Sequence, residues 1–386
     1  MRCILPSSIV LCSILLPQTL VAQSFVNSYG GALAQDGVGV VQTPNGFVVG
    51  VRDFAEAPSH HFAQVLLTSN GGSIQSWDSI DELNGKVFPQ AIANAPADAL
   101  FLAGSSIATG AETHDAFLLK RDANGTIAWI TQPMIAGDEQ YFALEPLPDG
   151  GAIACGVREA GTGHDAWVTR FGADGTVIWN TALGDLGDEE AYALVVQGND
   201  VILTGRQLNF SGTTDAWFAR MDLDGNELWT TSWGGNKNEV GRGVVALNGN
   251  SFLMAGTTNT FGMRDTTENR IKDNVYLVAI DLNGDTLWTR AVGDTLFDHR
   301  ALCMDVAPNG DILIGGERGE VPGESDALVY RLAANGDLVW ERTWHIGKED
   351  RLLNMLALPD GFVSTGWSFT EFARQVLLIR RDPDGN

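Results

Sequence analysis

One short signature recurs through this chain at near-constant spacing, and it restricts the fold more than any other feature. Three segments end Asp122-Ala-Asn-Gly-Thr-Ile-Ala-Trp129, Gly172-Ala-Asp-Gly-Thr-Val-Ile-Trp179 and Asp222-Leu-Asp-Gly-Asn-Glu-Leu-Trp229. Two more end Asp281-Leu-Asn-Gly-Asp-Thr-Leu-Trp288 and Ala333-Ala-Asn-Gly-Asp-Leu-Val-Trp340. A degenerate first copy reads Thr68-Ser-Asn-Gly71 with Trp77 after it, and a last copy reads Asp382-Pro-Asp-Gly385-Asn386. The intervals between successive Trp residues are 52, 50, 50, 59 and 52. Repeats of this length indicate stacked or ring-closed units, each too small to bury its own apolar face.

Within each repeat lie four short runs rich in β-branched and aromatic residues, bounded by Gly, Asp and Asn. In the fourth they are Ala191–Val196, Val201–Thr204, Ala216–Met221 and Glu227–Ser232. Such runs are strand signals, and no segment of helical length shows a 3.6 period. Four antiparallel strands in a repeat of about 50 residues make a propeller blade. The expected fold is therefore all-β: a seven-bladed β-propeller with four antiparallel strands per blade. Closure is expected from the N-terminus, because Phe25-Val-Asn-Ser-Tyr29-Gly30-Gly31 matches Trp229-Thr-Thr-Ser-Trp233-Gly234-Gly235 position for position. That strand should complete the last blade and remove an open sheet edge. The recurring Trp residues of the fourth, outer strand are expected to fill the widening wedge between blades. Gly104, Gly156, Gly205, Gly256, Gly316 and Gly366 should mark a bulge or a close backbone approach.

Residues 1–22 read as a secretory signal, with an apolar stretch bracketed by Pro6 and Pro17 that is too short to span a bilayer. Residues 23–386 then form one propeller domain, exported to the medium or the cell surface, with no transmembrane segment and expected to be a monomer. The mature chain keeps Cys155 and Cys303, both in apolar strand patterns of distant blades, and so two buried free thiols. The formal charge of −24 argues against nucleic acid and anionic membrane as partners, which need a basic footprint.

The Asp-x-[Asp/Asn]-Gly-x-x-x-Trp ending resembles the tryptophan-docking motif of PQQ-type propellers. The chain is more similar to bacterial secreted β-propeller repeat proteins, whose units open Trp-x-x-x-[Tyr/Trp]-Gly-Gly and carry Asp-Ala-[Trp/Phe]-x-x-x-[Leu/Met/Phe]-Asp at their centre. The resemblance covers nearly the whole mature chain and implies an exported scaffold, often without known activity. Quinoprotein dehydrogenases have eight blades and a vicinal cysteine pair against the cofactor. This sequence has neither, so PQQ chemistry is not expected, and no other cofactor is implied.

Candidate sites are sparse. The Asp-x-[Asp/Asn]-Gly turns could suggest calcium, but glycine and Asn at positive φ in tight hairpins account for them. Asp115, Asp165, Asp215 and Asp326, with Asn274, open the third strand at equivalent positions. Their expected role is to cap backbone N–H groups of the preceding loop. His60, His114 and His164 lie beside that position on adjacent blades, which are too far apart for one tetrahedral zinc ion. No catalytic residue and no metal ligand is assigned, and no nucleophile elbow or phosphate loop is present.

What varies is the set of loops between the second and third strands, the largest being Thr257–Asp273. These loops share one face with the blade-to-blade connections, where Asp138, Glu139, Asp188, Glu189, Glu239, Asp298, Glu349 and Asp350 cluster. Phe261 and Arg264, within the long loop, add an apolar and basic element to that acidic face. Insertions on one face of a repeat array mark its binding face. The expected function is a non-catalytic scaffold that binds a protein, glycan or cell-surface component there. Two alternatives stand beside it: a hydrolase or lyase acting on a polysaccharide or peptide at the channel mouth, and a structural spacer of a larger surface protein.

Overall fold

The computed structural model describes residues 23–386 apart from 32, 55–61, 84, 134, 162, 185–186, 248–249, 268, 322 and 372. Residues 1–22, expected to be a secretory signal, and His60 lie outside the described residues. The chain forms seven four-stranded antiparallel sheets, with one two-stranded hairpin in addition, and contains no helix among the described residues. Blade 4 is typical, with Glu189–Gln197, Asp200–Leu208, Thr214–Asp222 and Glu227–Trp233 following one another from the inner to the outer edge. The inner strands of blades 1 to 7 begin at Ala34, Lys86, Glu139, Glu189, Glu239, Asp298 and Asp350. This is the seven-bladed propeller expected from the repeat.

Closure follows the matched sequence. Phe25–Tyr29 pairs antiparallel with Arg374–Arg381, register Phe25↔Arg380 through Tyr29↔Val376, as the outer strand of blade 7. Tyr29 packs with Val376 and Leu378 of blade 7 and with Phe47 and Val49 of blade 1.

The core is a set of interfaces between adjacent sheets. Phe101 and Leu118 of blade 2 meet Tyr141, Trp167 and Phe171 of blade 3. Cys155 and Val168 of blade 3 meet Trp217 and Met221 of blade 4. Cys155 and Cys303 are free and buried, and burial raises both thiols far above their usual range.

The recurring Trp residues of the outer strands do a different job from the one expected. Trp129, Trp179, Trp229, Trp288 and Trp340 are only half-buried, at the rim. Four of them donate Nε1–H to a carbonyl in the hairpin turn of the next blade: Ala173, Leu223, Leu282 and Pro383, at 3.2, 2.9, 3.1 and 3.2 Å. An arginine of the third strand reinforces the same carbonyl, with Arg170 on Leu223 at 2.8 Å and Arg220 on Leu282 at 2.9 Å. The turn glycine serves twice. Gly175 and Gly225 have φ of 85° and 89°, in the left-handed region. A Cβ on either would also collide with the indole of Trp129 or Trp179. The turn carboxylate Asp222 is occupied by the backbone, accepting the amides of Asp224 and Asn226 at 3.0 and 2.9 Å. The wedge itself is filled from the third strand, where Trp167 and Trp217 are 0% and 2% exposed.

Candidate binding face and channel mouth

Every inner strand carries a register shift against the second strand, between Gly37/Gly39, Pro89/Ala91, Tyr141/Ala143, Ala191/Ala193, Gly241/Gly243, Ala301/Cys303 and Leu352/Asn354. The extra residue of a bulge is left unpaired and its side chain is re-aimed. The expected glycines explain themselves here. Gly104, Gly156, Gly205, Gly256, Gly316 and Gly366 stand opposite the shift, where a Cβ would strike the carbonyl of the preceding inner-strand residue.

The bulged residues of blades 3, 4 and 5 meet one another. Phe142 and Tyr192 have ring centroids 5.4 Å apart, and the Arg242 guanidinium lies 4.1 Å over the Tyr192 ring. These side chains project from the bulges of the inner strands, the innermost layer of each blade, and link three successive blades there. Tyr192 donates its hydroxyl to Glu190, which also accepts from Arg206 at 2.5 Å. Burial pushes the Tyr192 phenol up to about 12, and the hydrogen bonds from Arg206 and Tyr192 hold Glu190 below the usual carboxylate range despite its burial. Around the same mouth Asp36 pairs with Arg52 at 2.8 Å, and Glu317 takes Arg300 and Arg351 at 3.1 and 2.7 Å. These charges are spent on each other.

Deeper along the inner strands, Glu145 of blade 3 and Asp305 of blade 6 occupy equivalent registers, each two residues beyond the shift's far side. Asp305 accepts the amides of Val306 and, from blade 7, Ala357, at 2.8 and 2.7 Å. Burial, with the charge of Asp305 added, lifts Glu145 from 4.5 to about 7. A carboxyl raised on folding keeps a proton that the unfolded chain has lost. Its stabilising contribution is therefore present below 4.5 and is lost as pH climbs to about 7. The shift corresponds to about 3 kcal/mol. Glu145→Gln should flatten the fall in melting temperature between pH 5 and pH 8, read by calorimetry; an unchanged slope would place the titration elsewhere.

The acidic residues expected on the loop-rich face divide into two layers. In the upper layer, a side chain at the start of one blade accepts an amide at the head of the previous blade's third strand. Asp138 takes His114 at 2.6 Å, Asp188 takes His164 at 3.1 Å, Asn238 takes Thr214 at 3.0 Å and Asp298 takes Asp273 at 2.9 Å. This is the capping expected of Asp115, Asp165 and Asp215, performed instead by the next blade, while Asp326 pairs with His345 at 2.8 Å. Asn274 does cap, accepting the Met263 amide at 2.6 Å, whereas Asp165 lies 3.7 Å from Arg158 and Asp215 Oδ1 is buried without a hydrogen-bond partner.

The lower layer is interior. Glu139, Glu189, Glu239 and Asp350 are between 0% and 2% exposed, so they are not a solvated acidic surface. Glu239 accepts from Gly235 N, Thr258 Oγ1 and Thr260 N at 2.8, 2.7 and 3.1 Å, and Glu189 accepts from Gln207 at 2.8 Å. Burial, then the charges of Asp115 and Asp138, push Glu139 up to about 7. Glu349 pairs with Arg351 at 2.9 Å.

The long loop of blade 5 is likewise organised. Arg264–Asp265 pairs with Arg270–Ile271 as the small hairpin. Arg270 grips Asp298 with two hydrogen bonds, at 3.0 and 2.9 Å, which places the loop on the face with the blade connections. Lys272 is buried 3.6 Å from Asp265, and Arg264 donates to Asn269 at 2.5 Å. Two of the loop's cations, Arg270 and Lys272, thus face carboxylates, while Arg264 stays exposed. Beside the exposed Arg264, Thr266 and Thr267 it leaves two apolar side chains to solvent: Phe261, stacked on Tyr276 at 5.4 Å, and Met263. Phe210 in the corresponding loop of blade 4 and Leu296 in the connection to blade 6 join them, and these four side chains are 47%, 44%, 90% and 64% exposed.

Three histidines were legible in the sequence, but His299 was passed over. It is fully buried, with Nδ1 2.5 Å from the Tyr330 hydroxyl and Nε2 accepting from Arg318 at 3.2 Å, and burial pushes it down to about 4. His114 is held by Ser105 at 2.9 Å and packs on Phe88.

No family model matches the chain, and no curated protein matches it. Among solved structures it is similar to Chaetomium thermophilum Sqt1 bound to the N-terminus of ribosomal protein L10, at 11% identity and TM-score 0.54, over 92% of this chain and 98% of that one. The Neurospora crassa Pan2 WD40 domain aligns at 8% identity and TM-score 0.52, again over 92% and 98%. The polysaccharide lyase Uly1 aligns at 10% identity and TM-score 0.57, over 92% of each chain. At these identities the likeness is one of fold. The class is a β-propeller, and the similar structures include one bound to a ribosomal-protein segment and one polysaccharide lyase. No helix among the described residues is long and apolar enough to cross a membrane.

Proposed function

We propose that this chain is an exported, monomeric, non-catalytic propeller scaffold that holds a protein, glycan or other cell-surface component on its loop-rich face. The observation that carries the reading is the exposed apolar set Phe210, Phe261, Met263 and Leu296, on the loops of blades 4 and 5 and the connection to blade 6, where Arg270 is already engaged by Asp298. Isolated apolar side chains are ordinary on a surface, but several on one face make it a candidate interaction surface. The protein-bound state of the similar Sqt1 structure fits a propeller used in this way. Membership in the bacterial secreted repeat proteins belongs to the same proposal, supported by the docking of Trp179 and Trp229 on the next blade's turn.

A hydrolase or lyase at the mouth would need a base or nucleophile free to act. Tyr192 keeps its proton to about 12 and donates it to Glu190, which Arg206 also holds, so this constellation favours structure over turnover. The test is capture from cell-envelope extract on the immobilised chain, beside a Phe210→Ser, Phe261→Ser variant of matched circular dichroism. The expected result is at least a tenfold loss of the captured component in the variant. Equal capture by both chains would remove the face from the proposal.

A further inference from the structure

At the junctions after blades 3 and 4 a third-strand Asp and an inner-strand Glu meet beside a glycine, and the junction after blade 6 keeps two carboxylates but not the glycine. The residue that follows the outer strand is Gly184, Gly234 or Gly293 at the ends of blades 3, 4 and 5. Gly184 lies against both Glu189 and Asp165, and Gly234 against Asp215. At the end of blade 6 the same position is His345, after the strand Leu338–Trp344. The inner-strand Glu of blades 3, 4 and 5 is there Asp350, one methylene shorter, and the facing residue is Asp326. A parallel bridge between Ser325 and Glu349 holds the two segments together.

The ligand atoms of Asp326, His345 and Asp350 all lie within 4.8 Å of one another, with Asp326 Oδ1 2.8 Å from His345 Nδ1. Asp350 is fully buried, yet Oδ1 accepts only the Gly347 amide, at 3.0 Å, which leaves it a lone pair. A second observation points to the same spot. Ser368 is directly across the sheet from Asp350, so the two side chains share a face. It is fully buried, and its Oγ has no hydrogen-bond partner. That oxygen lies against Gly347, whose amide binds Asp350. In blade 5 the corresponding hydroxyl, Thr258, reaches its carboxylate at 2.7 Å; the shorter Asp350 leaves Ser368 unmatched. The group opens into a cleft of about 520 Å³ lined by Phe297, Arg318, Glu324 and Lys348.

We propose that Asp326, His345 and Asp350, backed by the Ser368 hydroxyl, bind a divalent transition cation of the zinc class. One imidazole nitrogen and two carboxylates are a borderline donor set, and three protein ligands leave a coordination position open to the cleft, where a ligand oxygen or water would complete it. Calcium is disfavoured, since it takes six or more oxygen donors.

Titration of zinc chloride into the metal-free full chain, by calorimetry with a competing chelator, tests the site. One ion per chain is expected. His345→Gly, which installs the residue found after blades 3, 4 and 5, should weaken binding at least 100-fold, and Asp326→Asn at least tenfold. His114→Gln should leave the affinity unchanged. Absence of zinc binding, equal affinity in His345→Gly, or preferential binding of calcium would each overturn the proposal. Should His345→Gly lose its native circular dichroism, His345→Gln carries the same expectation.

Discussion

A chain lacking residues 23–31 should lose roughly 5 kcal/mol or more of stability and come off a sizing column as aggregate. The figure follows from unburying Tyr29 and uncovering Val26 and Phe25, at about 25 cal/mol per Å² of apolar surface. The strand does more than finish a sheet. Phe25 packs against Gly72, in the first blade's turn, and Asn27 and Tyr29 donate to the Gly72 carbonyl at 3.1 and 2.5 Å. Phe25 thus occupies the place that Trp179 takes against Gly225 elsewhere in the ring. Ser24 also bonds the Asn386 carbonyl at 2.7 Å, joining the two ends of the described chain. Without the strand, Arg374–Arg381 becomes an open edge that templates pairing with another chain. A peptide of residues 23–31 added in trans should restore a monodisperse ring. A truncated chain with unchanged melting temperature and elution would show that closure contributes nothing.

Trp217→Ala should cost about 3–5 kcal/mol in chemical denaturation, the range for emptying a fully buried aromatic site. Trp167→Ala should cost the same. Trp217 packs with Val168, Leu203 and Ala219 across the interface of blades 3 and 4, and Trp167 stacks on Tyr141 at 4.8 Å. The rim indoles should behave otherwise. Trp179→Ala removes a half-buried ring and one hydrogen bond to Leu223, for a cost of roughly 1–2 kcal/mol. The comparison is informative because both kinds of Trp recur with the blade. Equal losses at Trp179 and Trp217 would mean that the outer-strand indoles fill the wedge after all.

Much of the architecture was legible because a repeat writes the same local contacts many times. The spacing of Trp129, Trp179, Trp229, Trp288 and Trp340 set the blade length, and the match of Phe25–Tyr29 to Trp229–Trp233 gave away the closing strand. Gly156 and Gly205 announced a close approach, since glycine at a fixed register excludes a Cβ whatever the neighbours are. Hairpin turns and strand alternation depend on residues a few positions apart, and sequence records those directly.

Burial of the acidic residues had no such record. Glu239 and Asp350 look identical in sequence to solvated loop carboxylates, yet each sits at the head of an inner strand and is covered from its own blade and the one before. The contacts that decide this join blades: Asp138 to His114 and Asp188 to His164, each 24 residues apart. Likewise, two of the three cations of the long blade 5 loop were turned inward, Arg270 onto Asp298 and Lys272 beside Asp265. The sequence by itself determined the number of blades, their strands and how the ring shuts, because those rest on local periodicity. Only the tertiary structure decided which charges face solvent, since that depends on the partner a neighbouring blade supplies. It also brought His345, which stands where the junctions after blades 3, 4 and 5 have glycine, within reach of Asp326 and Asp350.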